Sequence, residues 1–152
     1  MPGRNLTINR TYQPLTKMDD WKILSVKNAW SYMILNSEEA GAVFYEKLFE
    51  IDPSLKPLFA HAMPAQINKL MDMLTLMVAN LQTVDRIEKE VKALAIRHVQ
   101  YGTRPEHYQS VGEALMYTLE NQLADRWDED MRRAWSEAYA VWASAMSGAA
   151  SN

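Results

Sequence analysis

His98 is a lone histidine on what reads as an inward helix face: Ile87, Val91, Leu94 and His98 stand at i, i+4, i+7 and i+11, while Glu88, Lys89, Glu90, Lys92 and Arg97 take the other faces. An imidazole in that position is either a hydrogen-bonded core residue or a metal ligand. It does not make a zinc site, which wants three or four side-chain ligands, and the chain has no cysteine to supply others. A haem iron needs only one protein ligand, because the porphyrin supplies the other four bonds, but it also needs a large apolar slot with a second face.

The elements around His98 must build that slot. Gly102 reads as a helix-end residue and Pro105 as the first residue of the next helix, so the chain turns just after the histidine. Upstream, a first helix is expected from about Asp20 to Leu35, capped by Asp19 or Asp20, with Ile23, Val26, Trp30, Met33 and Ile34 as its stripe. Asn36 followed by Glu39 resembles a capping box. The helix it opens carries Gly41, Phe44, Tyr45, Leu48 and Phe49 on one side, and the glycine implies a close helix crossing. Asp52 and Pro53 start a short helical turn through Leu58, and residues 59–62 form a connection.

Pro64 then opens a long helix to about Gln82 with Ile67, Leu70, Met71, Leu74, Val78 and Leu81 inward. Gln66 lies one turn before Leu70, and Lys69 at the border. The helix from Pro105 to about Leu123 turns Tyr108, Val111, Leu115 and Leu119 inward. A last helix, opened by Asp128, Glu129 and Asp130, does the same with Met131, Trp135, Ala138, Tyr139, Trp142 and Met146 and ends near Gly148. No segment alternates like a half-buried strand, and the connections are short. The expectation is a single all-α domain of seven or eight helices.

At 152 residues the chain suffices for one domain with a real core. A formal charge of −3 leaves no basic surface overall, which argues against nucleic acid or an anionic membrane as partner. The absence of cysteine removes disulfide scaffolds and thiol catalysis and fits a reducing cytoplasm. The N-terminus has no secretory apolar stretch, and the run MLTLMVANL is too short to span a bilayer. Residues 1–18, mixed in type and without either period, read as a flexible leader; residues 19–149 read as the domain.

Four runs carry a resemblance: FYEKLF at Phe44 to Phe49, LFAHAMPAQINKLM at Leu58 to Met71, RHVQYGTRPEHYQSVGEAL at Arg97 to Leu115, and AWSEAYAVWASAM at Ala134 to Met146. Each alone is weak, but in this order the chain from about Trp21 to Met146 resembles the globin family. It is similar in particular to the bacterial single-domain globins that match the haem domain of flavohaemoglobins.

The resemblance implies a globin fold around one haem b (iron protoporphyrin IX). His98 is then the proximal iron ligand, Phe59 packs on the porphyrin, and Lys69 lies within reach of a propionate. Leu70, Leu94, Tyr108, Val111 and Leu115 are the further haem contacts. It implies Tyr45, Gln66 and Leu70 on the distal side, where dioxygen bound to ferrous iron carries partial negative charge and a phenol O–H and an amide N–H are useful donors. Without the family match, a tyrosine and a glutamine at these spacings are ordinary half-buried residues, and an exposed lysine is simply solvated.

Tyr108 follows the pattern of a tyrosine near the proximal histidine in flavohaemoglobins. The glutamate that completes that network falls near Ala150 and is missing, as is a reductase region after Asn152. The implied function is reversible dioxygen binding for storage, transport or scavenging, with nitric oxide and carbon monoxide as further ligands and no catalytic residue assigned. The alternatives are nitric-oxide dioxygenation with a separate reductase, or haem-based gas sensing. His61 reads as a surface residue whose competing role is a mobile sixth iron ligand, His107 as exposed, and the ten methionines as core filler.

Overall fold

The computed structural model describes residues 18–59, 62–83, 88–100 and 102–151; the leader through residue 17, His61 and Ile87 lie outside these. The described residues form six α-helices: α1 (Asp20–Met33), α2 (Ser37–Ile51), α3 (Met63–Ala79), α4 (Glu88–Gln100), α5 (Pro105–Leu123) and α6 (Glu129–Ser151). Short 3-10 segments at Ile34–Asn36, Pro53–Leu58 and Ala124–Arg126 join three of the pairs. The architecture is all-helical, in the expected order. No helix among the described residues is long and apolar enough to cross a membrane.

The apolar stripes explain the packing. Ile23, Val26, Ala29, Trp30 and Met33 of α1 are buried, and α1 lies against α6. Met18, read as leader, is buried in the core ahead of them, because an apolar side chain directly before a helix joins the stripe that follows it. Ile34 is exposed instead of inward: α1 stops at Met33, and the tighter 3-10 turn swings the next side chain off the stripe. That turn runs straight into α2, so the capping box expected from Asn36 and Glu39 is not formed, and Asn36 makes no side-chain cap bond.

Three helix ends also differ from the sequence pattern. The third helix stops at Ala79, because Asn80 leaves helical geometry and its side-chain amide donates to the Leu76 carbonyl at 2.9 Å. The fourth continues two residues past His98, and the last runs past Gly148 to Ser151. Gly102 is the glycine with positive φ, at 92°, among the described residues; Gly148 stays helical and does not act as a stop.

The crossing of α2 over α3 depends on Gly41. A Cβ there would lie 2.4 Å from Ile67 Cγ2, far inside contact distance. Gly41→Ala is therefore expected to destabilise the fold by about 1–3 kcal/mol, the usual cost of overpacking, in urea unfolding. Stability equal to wild type would mean that the helices do not cross this closely.

Candidate functional site

His98 is half-buried on α4, and its Nδ1 lies 2.8 Å from the Leu94 carbonyl oxygen one turn earlier. A carbonyl only accepts, so Nδ1 carries the proton and donates; Nε2 keeps its lone pair. Burial holds the imidazole below its ordinary pKa, against the opposing Leu94 bond and with a smaller contribution from the Arg97 charge. The ring is thus neutral near pH 7, oriented, and nucleophilic at one nitrogen.

The pH dependence follows. Below about pH 6.5 the unfolded chain protonates this imidazole while the folded chain does not. His98 therefore removes stability as pH falls from that value toward its lowered folded pKa, by at most about 1.4 kcal/mol per pH unit. The urea-unfolding stabilities of wild type and His98→Gln between pH 7.5 and 5 should converge as the pH falls, measured as the difference between the two proteins. A difference independent of pH would contradict the buried neutral imidazole.

The turn after His98 is pinned at both ends. Thr103 N–H donates to the His98 carbonyl at 2.9 Å and Gly102 N–H to the Val99 carbonyl at 3.0 Å. His107, expected to be exposed, is buried at 7% exposure. The reason is its place at the start of α5: Nδ1 accepts from the Arg104 N–H at 3.0 Å while His107 N–H donates to the Arg104 carbonyl at 2.9 Å, closing the helix N-terminus.

A second group comes from α2, α3 and the connection between them. Tyr45 is buried, with Phe44 edge-on at 5.1 Å, Phe59 edge-on at 5.3 Å and Phe49 at 5.9 Å between ring centroids. Such aromatic pairs hold a ring more firmly than area alone does. Burial pushes the Tyr45 phenol up to about 12, so it is a proton donor throughout the physiological range. Its hydroxyl donates to the backbone carbonyl of Gln66 at 3.3 Å, long for an O–H···O bond. Tyr45, Phe59 and Gln66 are thus brought together, although the contact runs through the Gln66 main chain.

Of the remaining expected residues, Phe59, Leu70, Leu94, Tyr108 and Val111 are half-buried against the core, Leu115 is buried, and Lys69 is exposed on α3. These five apolar or aromatic side chains are left only half-covered by the core. A hollow of about 460 Å³ between α5 and α6, lined by Gln109, Gly112, Glu113, Met116, Ser136 and Tyr139, is open to solvent and contains none of the expected site residues.

Sequence reasoning missed the support behind Tyr108. The Tyr139 hydroxyl donates to the Tyr108 backbone carbonyl at 2.5 Å, and burial raises the Tyr139 phenol well above its ordinary pKa. The Tyr139 ring lies where a Cβ on Gly112 would approach within 2.7 Å. A helix-interior glycine was the available signal, the same one that marked Gly41.

The donor set suits a haem. It offers one neutral imidazole with a free Nε2, oriented by a carbonyl behind it, and no group of three or more His, Cys, Asp or Glu among the described residues that would hold a bare metal ion.

Comparison with known proteins agrees. A family model described as Globin matches residues 42–146. The chain is 31% identical over 146 residues, covering 85% of itself and 88% of the relative, to an anaerobic nitrite reductase of Gossypium hirsutum. It is 26% identical to a neuroglobin of Tetraodon nigroviridis, covering 80% and 86% of the two chains. A hexacoordinated heme protein from an anhydrobiotic tardigrade superposes with a TM-score of 0.78 at 19% identity, covering 89% of this chain and 96% of that one.

Proposed function

Because the chain belongs to the globin family, we propose that it binds one haem b, iron protoporphyrin IX, through His98 and uses it to bind dioxygen reversibly. The observation that carries this reading is the Nδ1 bond of His98 to the Leu94 carbonyl at 2.8 Å, which leaves Nε2 free as a ligand. When bound, the haem supplies an iron that takes diatomic gases, so nitric oxide and carbon monoxide are further ligands. His98 Nε2 would hold the iron. Phe59, Leu70, Leu94, Tyr108, Val111 and Leu115 would exclude water around the porphyrin, and Lys69 would pair with a propionate.

The Tyr45 hydroxyl would turn from the Gln66 carbonyl toward the bound gas as donor, and the Gln66 side-chain amide would be the second donor. Leaving the long Tyr45–Gln66 contact costs little. The protein acts from residues 19–149 in the cytoplasm, without nucleic-acid or membrane partners. The motif runs support a finer kinship with bacterial single-domain globins, while the relatives reported above are from a plant and a fish.

The test is an absorption spectrum of the haem-loaded protein, reduced and then exposed in turn to oxygen, argon and carbon monoxide. Reversible spectral changes with isosbestic points are expected. Rapid irreversible oxidation on first contact with oxygen would refute reversible binding. A second reading, redox chemistry of nitrogen oxides with a separate reductase, is favoured by the name that the Gossypium hirsutum relative carries. It predicts sustained nitric oxide or nitrite turnover once an external reductase and NADH are added, whereas a pure oxygen carrier gives a single turnover.

A further inference from the structure

Helix α1 has two apolar stripes, and the core uses one. Opposite Ile23, Val26, Trp30 and Met33, the residues Trp21, Leu24, Asn28 and Tyr32 recur at spacings of three and four, the interval of a single helix face, and Leu35 follows them in the 3-10 segment. Four of these five are large and apolar, and they are exposed: Trp21 by 42%, Leu24 by 68%, Tyr32 by 39% and Leu35 by 74%. Single exposed hydrophobes need no explanation, but four of them along one side, interrupted only by Asn28, mark a contact surface.

We infer that the occupant of this face is the chain's own N-terminal segment, residues 1–17. Three observations converge on it. Met18 is buried in the core, which delivers the segment to the N-terminal end of α1, directly beside the stripe. Length permits the return: seventeen residues reach roughly 55 Å when extended, whereas the fourteen residues of α1 rise about 21 Å. Charge is complementary. The segment contains Arg4, Arg10 and Lys17 and no acidic residue, so with the whole chain at −3 the rest stands at −6.

Asp19 and Asp20 before the stripe, and Glu38 and Glu39 after it, are exposed at its two ends. The segment also brings Leu6, Ile8, Tyr12 and Leu15 as apolar partners. Arg126, 4.5 Å over the Tyr32 ring, and Arg133, 5.9 Å from the Trp21 ring, already cover one side of the two aromatics. The apolar contact therefore falls mainly on Leu24 and Leu35, and the segment's cations go to the acidic ends.

Limited trypsin digestion of the full chain, read by mass spectrometry, tests this. Cleavage after Arg10 should be at least about tenfold slower than in a synthetic peptide of residues 1–17, since cleavage follows the fraction of time the segment is undocked. The double variant Leu24→Asp, Leu35→Asp should restore the peptide's rate, as should about 0.5 M NaCl in part, by screening the end charges. Both leucines are outside the core, and a thermal melt of the variant at the wild-type temperature confirms that the fold is intact.

Cleavage at the peptide's rate in wild type overturns the inference, as does protection that survives the double substitution. Protection that disappears on dilution, together with a sedimenting dimer that the variant abolishes, identifies a second copy as the occupant and overturns it equally.

Discussion

His98→Ala protein is expected to lose haem faster than wild type by more than the ten- to hundred-fold typical of disturbing a ligand's supporting shell, because the proposed ligand itself is removed. The loss is read by transfer of haem to an excess of a haem-scavenging apoprotein in stopped flow. The ring also packs on α4 and bonds the Leu94 carbonyl at 2.8 Å, so a fold effect must be separated from a ligation effect. Adding imidazole to the His98→Gly protein supplies Nε2 without the tether and should restore the wild-type ferrous spectrum. Wild-type haem retention in His98→Ala would remove His98 from the iron.

Tyr45→Phe is expected to speed dioxygen release by about ten- to a hundred-fold, the equivalent of the roughly 1.5–3 kcal/mol that a donor bond to a polarised acceptor contributes. The lower half of that range is favoured, because the free hydroxyl already has a partner in the Gln66 carbonyl at 3.3 Å that it must give up. The ring and its contacts with Phe44, Phe49 and Phe59 stay in place, so the substitution isolates the hydroxyl. Carbon monoxide is less polarised when bound and should change little. The effect belongs in the off-rate, since entry depends on pocket access and escape on breaking the bond. Equal acceleration for both gases would mean that packing, and not the donor, was altered.

Helical spacing and punctuation made most of the fold legible. Pro105 and Leu123 are the observed ends of α5, Gly102 takes the expected left-handed turn, and Gly41 is where two helices meet. What spacing did not reveal was set by contacts distant in sequence or by competing local bonds. Asn80 ends α3 early through its own side chain, and nothing in PEHY shows that His107 closes a helix end. The candidate site was legible only in part. Its residue types were visible, but the Tyr45 contact with the Gln66 main chain and the Tyr139 support under Tyr108 join segments 21 and 31 residues apart, and no local pattern encodes such a pairing.

The row Trp30, Trp135 and Trp142, with ring centroids 5.9 and 6.0 Å apart, has a consequence for measurement. Trp30 Nε1 donates to Thr75 Oγ1 at 2.9 Å, whereas the buried indole N–H groups of Trp135 and Trp142 have no acceptor among the described residues. With Trp135 at 0% and Trp142 at 3% exposure, deuterium reaches these two protons only when α6 leaves the core. Their proton resonances should therefore act as a clock for global opening, fading together at one rate set by the unfolding equilibrium, while the exposed indole of Trp21 exchanges at once.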